Sequence, residues 1–235
     1  TSILKNFLAQ NPHCHLAYID TNALIPTINA HTSEPHQLPI KHIHDRNDEY
    51  QINWLIDQPP RTLELPLPAT QTQSKFTECQ NAPIKLGCQI QPHRKNWLGT
   101  AGGPIKFKTP DGQYHWGIIT NAHVTGTPTT PAERQIHQPN DTRPPIASTT
   151  IYAYPSPNQE NYLDVALCDS RQGNAHKTSW QILEQPKLAT TWTNATRGTP
   201  ATKTGRTTGR TTGQVTATNA AARVNYGSFI ALMLD

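Results

Sequence analysis

The sequence is poor in charged and apolar residues, and this limits the kinds of protein that it can encode. Charged residues make up 15% of its 235 residues and hydrophobic residues 34%, which is below the share usual in globular domains. No run of about 18 apolar residues occurs, so the sequence predicts no transmembrane helix. The apolar stretch at residues 3–8 is too short for a signal peptide, and we expect no membrane partner.

Cysteine and methionine are scarce as well. The four cysteines, Cys14, Cys79, Cys88 and Cys168, are too few to predict a disulfide framework. Their scarcity favours a reducing compartment such as the cytoplasm, while a bridge between Cys79 and Cys88 stays open for an exported protein. The only methionine is Met233, so we expect that the ends of the sequence are not those of the translated product.

The residues that are abundant favour short strands joined by irregular loops. Proline occurs 21 times and threonine is frequent, which indicates an all-β domain. The net charge of +4 is mild, and no basic stripe is interleaved with aromatic residues, so we expect no nucleic-acid partner. Two histidine pairs, at residues 13–15 and 42–44, have no second half at a zinc-ligand spacing, and we predict neither a metal nor a cofactor.

One stretch, W-G-I-I-T-N-A-H-V at residues 116–124, organises the rest of the sequence. Its first half is an apolar, β-branched run that reads as a buried strand, and it ends shortly before His123. Upstream, Asp111-Gly112 is a strong signal for a two-residue hairpin turn. Before that turn, the small residues at 99–103 permit close approach of two backbones. The pattern therefore predicts strand, turn, strand and then an imidazole.

Two later stretches add to this pattern. Asp164 directly precedes a short apolar strand in D-V-A-L, 41 residues after His123. The stretch K-T-G-R-T-T-G-R-T-T-G-Q-V follows at residues 203–215. Taken singly, these features also fit a strand-end histidine, a strand-capping aspartate and a Gly/Thr-rich linker.

Taken in order, the three stretches resemble a chymotrypsin-like (trypsin-fold) serine protease of the bacterial trypsin-like type. The resemblance covers about residues 84–230 and implies that His123 is the general base. It implies that Asp164 orients that histidine and stabilises the imidazolium, and that residues 203–215 form a hairpin of a second barrel. The spacing of His123 and Asp164 is close to the separation of about 45 residues in the template triad.

The implied fold is an all-β, chymotrypsin-like double antiparallel β-barrel whose second barrel is incomplete in this chain. Prolines at residues 59–68 and a polar run to residue 74 suggest a connector. We therefore predict an N-terminal extension of uncertain structure at 1–75 and a protease-like domain at 76–235. We expect the extension to pack on the protease-like domain, to be a pro-segment, or to be a docking module for a regulatory protein partner.

The nucleophile of the implied family is not found. The template places it about 90 residues beyond the aspartate, near position ~254, and no G-D-S-G motif occurs. Ser228 follows a glycine but precedes Phe229 instead of a small residue, and Ser170 and Ser179 lie too close to Asp164.

We therefore expect a serine endopeptidase, acting on proteins or peptides, whose serine lies on a separate or removed C-terminal fragment that completes the barrel. The apolar ending at residues 229–235 reads as a strand that has lost its neighbour. The alternative is a catalytically inactive binding or scaffold protein that keeps the protease fold.

Overall fold

Strands dominate the protein, and the predicted all-β class is confirmed. The computed structural model describes residues 2–20, 27–32, 42–45, 48–56, 84–170, 178–185 and 194–234. Within them lie two short helices, α1 (Ser2–Gln10) and α2 (Ala122–Thr125). No described helix is long and apolar enough to cross a membrane.

A curled sheet of seven strands carries the stretch that precedes His123. Its strands are β6 (Gln89–Pro92), β7 (Gly99–Thr100), β8 (Pro104–Lys108), β9 (Tyr114–Thr120), β10 (Gln135–His137), β11 (Pro145–Ala153) and β13 (Val165–Asp169). Their spatial order is β7-β6-β10-β11-β13-β9-β8. The predicted hairpin is present as β8 and β9, but the predicted two-residue turn is wrong, because the connection spans residues 109–113. Within it, Gly112 (φ +82°) donates its backbone N–H to the carbonyl of Thr109 at 2.8 Å. A positive φ of this kind is readily adopted by glycine, which explains its place in the turn.

Strands β7 and β8 lie at the two edges of the curled sheet and are joined by residues 101–103, which form hydrogen bonds with both ends of the sheet. Ala101 N–H donates to the carbonyl of Cys88, and Gly102 N–H donates to the carbonyl of Ile119, each at 2.9 Å. A Cβ on Gly102 would lie 2.7 Å from the Ile119 carbonyl oxygen, closer than real Cβ atoms come to other atoms. The small residues at 99–103 therefore allow the close approach that the sequence predicts.

The interior of the curled sheet is filled by apolar side chains exposed by 1% or less, namely Ile84, Leu86, Ile90, Ile118, Ile136 and Cys168.

A second, mixed sheet joins strands from both ends of the chain. Its strands are β1 (Cys14–Asp20), β2 (Thr27–Thr32), β3 (His42–Asp45), β4 (Asp48–Ile56), β12 (Glu160–Asn161), β17 (Ala221–Asn225) and β18 (Ile230–Leu234), in the order β12-β18-β17-β1-β2-β4-β3. Helix α1 packs on this sheet through Leu4, Phe7 and Leu8, which lie in one core cluster with Ala221 and Leu234.

The mixed sheet corrects the expectation of an open edge at the end of the sequence. Strand β18 pairs antiparallel with β17 on one side and parallel with β12 on the other. Strand β17 in turn pairs with β1, with Leu16 opposite Ala222. Pairing with neighbours covers backbone groups that an exposed edge would leave open. The N-terminal strands thus share a sheet with strands that come after the predicted domain boundary near residue 75. The boundary itself, the proline-rich connector and Cys79 lie outside the described residues.

Four short strands complete the architecture. Strands β5 (Ile84–Leu86) and β14 (Thr178–Ile182) form a parallel pair, and β15 (Pro200–Gly205) and β16 (Gly209–Gln214) form the predicted antiparallel hairpin. The chain turns at Gly87 (φ +79°), which separates β5 from β6. The stretch at 125–150 contains β10 and the first part of β11. Cys88 is disulfide-bonded, and Cys14 and Cys168 are buried thiols.

Candidate active site

The antiparallel pairing of β9 and β13 brings His123 and Asp164 together. In this pair Thr120, at the end of β9, lies opposite Ala166, near the start of β13. The residues that follow β9 therefore lie beside those that precede β13. Helix α2 follows β9 after a single residue and carries His123, while Asp164 immediately precedes β13. Two residues far apart in sequence thus meet at one end of the curled sheet.

Close packing fixes the position of the short helix. A Cβ on Gly99 would lie 2.2 Å from Cγ1 of Val124, so only glycine allows β7 to lie this close to α2. On the same residue, the Val124 carbonyl accepts a hydrogen bond from the Trp97 indole N–H at 2.8 Å. The helix ends at Gly126 (φ +69°), whose N–H donates to the Ala122 carbonyl at 2.8 Å. These contacts hold His123 in place from both sides.

Two hydrogen bonds join His123 to Asp164. The Nδ1 atom of His123 lies 2.5 Å from Oδ2 of Asp164, and the backbone N–H of His123 donates to Oδ1 at 3.0 Å. Asn121 donates its side-chain amide to the backbone carbonyl of Asp164 at 3.0 Å, which ties the aspartate to the chain just before the helix. Both side chains of the pair are largely buried, with 14% of His123 and 10% of Asp164 exposed.

The carboxylate determines which imidazole nitrogen carries the hydrogen. An ionised carboxylate can only accept hydrogen bonds, so Nδ1 is the donor, and the neutral ring keeps its lone pair on Nε2. The Nε2 atom makes no hydrogen bond with the described residues. Burial raises the pKa of Asp164, but the hydrogen bonds from His123 and the nearby imidazole outweigh burial, so the pKa lies below its usual value. The aspartate is therefore ionised at neutral pH.

Tyr226 is a third member of this site, and the sequence analysis did not identify it. Its hydroxyl donates to Oδ2 of Asp164 at 3.3 Å, and its ring meets the His123 ring edge-on, with 5.7 Å between centroids. Its other face stacks on Phe229 at 5.1 Å. Burial and the charge of Asp164 raise the pKa of Tyr226 well above its usual range, so the hydroxyl keeps its proton. No pattern around residue 226 points to this role, because the contact joins a residue that follows β17 in the mixed sheet to one that precedes β13 in the curled sheet.

His123 lies between two cavities. The first, which we call the hairpin cavity, has a volume of about 470 Å³ and lies between residues 98–100, the His123–Asp164 pair and residues 203–208 of the β15–β16 hairpin. The second, the loop cavity, has a volume of about 380 Å³ and is lined by His123, residues 125–129 and Ser228. Ser228 is exposed, and no hydrogen bond joins it to His123. Part of the stretch at 203–215 therefore lies next to His123, the predicted base. Ser228 is the described serine that lines a cavity together with His123.

A second histidine–aspartate pair lies elsewhere in the curled sheet. Nδ1 of His115 lies 2.6 Å from Oδ2 of Asp169, and both side chains are largely buried. Neither residue lines the hairpin cavity or the loop cavity. The contact alone thus does not distinguish the two pairs. The two pairs differ in that His123 lines both of these cavities and Asp164 lines the hairpin cavity.

The described residues contain no group of three or more histidine, cysteine, aspartate or glutamate side chains placed to hold a metal ion. The geometry offers a base with an available nitrogen, held by a carboxylate and a tyrosine next to two cavities. No protein-family model and no curated protein matches the chain.

Proposed function

We propose that this chain carries the base and the carboxylate of a chymotrypsin-like serine endopeptidase. The contact between Nδ1 of His123 and Oδ2 of Asp164 carries the proposal, because it leaves Nε2 as the basic nitrogen. In the corresponding fold, the curled sheet is the first barrel and the β15–β16 hairpin belongs to the second. The serine nucleophile is supplied by a C-terminal segment that is not in this sequence, and protein or peptide chains are the substrates.

The chemistry follows from the protonation states. Nε2 of His123 takes the proton of the serine hydroxyl as its oxygen attacks the scissile carbonyl, and later gives that proton to the leaving amine. The ionised Asp164 stabilises the imidazolium that forms in between. Tyr226 and the backbone N–H of His123 occupy further lone pairs of the carboxylate and so hold its orientation.

The proposal is tested by covalent labelling with a fluorophosphonate probe, which reacts with an activated serine. The 235-residue chain is compared with the full translated product that contains it. We expect labelling of the full product, loss of labelling in His123→Ala, and a rate lowered by roughly 10⁴-fold in Asp164→Asn, where the wrong tautomer is favoured. Circular dichroism of each variant checks that the fold is kept.

Ser228→Ala is the matched control. It removes a hydroxyl that shares the loop cavity with His123 but makes no hydrogen bond to it. Unchanged labelling in this variant agrees with a nucleophile outside the sequence, whereas loss of labelling would place the nucleophile at Ser228 itself.

A binding or scaffold protein is the second candidate. It is favoured by one observation, namely that no described serine makes a hydrogen bond with His123. This candidate predicts that the full product is never labelled and that His123→Ala leaves its binding partners unchanged. Labelling that depends on His123 would exclude it.

A further inference from the structure

The wall of the hairpin cavity contains a buried positive charge. Arg206 lies in the turn between β15 and β16, and only 6% of it is exposed. Its backbone N–H donates to the Thr100 hydroxyl at 3.1 Å, and its Nε donates to Oε1 of Gln89 at 2.9 Å. Gln89 uses its own amide N–H to donate to the Pro139 carbonyl at 3.0 Å, which turns its oxygen towards Arg206.

These contacts do not neutralise the guanidinium. Nη1 has one long contact, of 3.5 Å, to the Thr207 hydroxyl, and Nη2 is buried without a hydrogen bond. The partners of the side chain are a neutral amide and a hydroxyl, and no carboxylate of the described residues pairs with it. Burial lowers the pKa of Arg206, yet a guanidinium stays charged at neutral pH. A buried charge without a counter-charge is costly, so an anion placed nearby would be favourable.

The rest of the hairpin cavity is suited to an anion. Lys203 also lines it; its Nζ contacts the hydroxyl of Thr208 and pairs with no carboxylate of the described residues. Among the described residues that line the cavity, the one acidic residue is Asp164, which is already engaged by His123. Four threonines also line it, namely Thr100, Thr204, Thr207 and Thr208. Arg206 is buried in the cavity wall, whereas Lys203 is exposed beside it. Two positive charges next to one cavity attract a negative group even before the two come into contact.

We propose that the hairpin cavity is a subsite that binds an acidic side chain, glutamate or aspartate, of a peptide held beside His123. Arg206 and Lys203 supply the positive charge, and the threonine hydroxyls supply hydrogen-bond donors. The proposal rests on the proposed function for the peptide nature of the ligand. The two adjacent G-R-T-T repeats then have different uses, because Arg206 lies in the cavity wall whereas Arg210 is exposed and does not line the cavity.

The test measures binding and needs no turnover. Fluorescent, N-acetylated and C-amidated pentapeptides with either glutamate or glutamine at the centre are titrated with the chain, and anisotropy is recorded. A glutamine peptide with a free C-terminal carboxylate distinguishes a side-chain carboxylate from a terminal one. We expect the glutamate peptide to bind at least about tenfold more tightly than its amidated glutamine counterpart, as a charged hydrogen bond in a cavity would give. Added salt should reduce this preference.

Three variants assign the effect to residues. Arg206→Gln should reduce the glutamate preference to about twofold or less, and Arg206→Lys should restore part of it. Lys203→Gln, at an exposed position where folding is not at risk, should reduce it in part. Arg210→Gln removes the same charge from the same hairpin outside the cavity and should leave the preference unchanged.

Four results would overturn the subsite. In the first, the glutamate and amidated glutamine peptides bind equally; in the second, the glutamate peptide does not bind at millimolar concentration. In the third, only the peptide with a free C-terminal carboxylate binds more tightly. In the fourth, Arg206→Gln and Arg210→Gln change the glutamate preference equally. The outcome is separable from that of the proposed function. A glutamate preference without fluorophosphonate labelling would keep the subsite and reject the protease, whereas labelling without the preference would do the reverse.

Discussion

The hydroxyl of Tyr226 offers the sharpest test of the site, because a single atom can be removed while the ring stays. In Tyr226→Phe the edge contact with His123 and the stacking on Phe229 are kept. What is lost is the hydrogen bond of 3.3 Å to Oδ2 of Asp164, together with a weaker contact of 3.6 Å to Sδ of Met233. A hydrogen bond to a charged group contributes about 1.5–3 kcal/mol and an ordinary one about 0.5–1.5 kcal/mol. Since this bond is long, we expect the free energy of unfolding to fall by about 1 kcal/mol at neutral pH.

The pH dependence identifies the acceptor. The pKa of Asp164 in the folded protein lies below its usual value of 3.8, so its ionised form stabilises the fold above that pH. This contribution is lost as the pH falls through the folded-state pKa. In Tyr226→Phe the pKa of Asp164 should rise towards its usual value, so acid unfolding should begin at a higher pH. The difference in free energy of unfolding between Tyr226→Phe and the parent protein should be largest at neutral pH and should decrease as Asp164 is protonated.

Urea unfolding followed by tryptophan fluorescence measures this difference. With a slope of about 2 kcal/mol per molar urea, a loss of about 1 kcal/mol lowers the midpoint by about 0.5 M. Tyr152→Phe, which removes a hydroxyl from a partly exposed ring on β11, is the control and should change stability by less than about 0.5 kcal/mol. An unchanged midpoint for Tyr226→Phe, or an equal loss at every pH, would refute the assignment of Asp164 as the acceptor.

Two further predictions concern the curled sheet. Gly117→Ala places a Cβ 1.8 Å from the Cys168 carbonyl oxygen, so it should unfold the protein or lower its melting temperature steeply. The control is Gly213→Ala, whose Cβ would have nothing within 4 Å and which should change stability by less than about 0.5 kcal/mol. Equal thermal melts for the two variants would contradict the packing of Gly117 against Cys168. Burial raises the pKa of Cys168 to about 12, so its thiol should not react with maleimide in the native protein at about pH 8. Mass spectrometry should detect the label on Cys168 only after denaturation. Labelling of the native thiol would show that β13 is exposed.

Local patterns were sufficient to predict the elements around His123 and Asp164. The Asp111-Gly112 turn, the apolar run of β9 and the short strand β13 each show their structure within a few residues. Because β9 and β13 are antiparallel neighbours, one residue after the first and one before the second must meet. That the two strands are neighbours is not marked in either of them, so the contact between His123 and Asp164 was predicted from the resemblance and not from local patterns. Their catalytic roles stay a prediction.

Other features depend on contacts between distant residues, and no local pattern carries them. Strand β10 has only three residues and is recognisable as a strand only through its pairing with β6 and β11. Arg206 and Arg210 stand in identical G-R-T-T repeats, yet one is buried and the other exposed. The pairing of β1 with β17 could not be foreseen either, since nothing in β1 specifies a neighbour so far along the chain.

That pairing has a consequence for how the protein is made. Leu16 lies opposite Ala222, so about 200 further residues must be synthesised before β1 can meet its neighbour. At about 5–20 residues per second, this takes roughly 10–40 s on the ribosome. During that time the nascent chain has β2 to cover one side of β1, while the other side shows open backbone groups that can pair with another chain. The interval between translation of β1 and translation of β17 is therefore a period in which one edge of β1 can pair with another chain and promote aggregation.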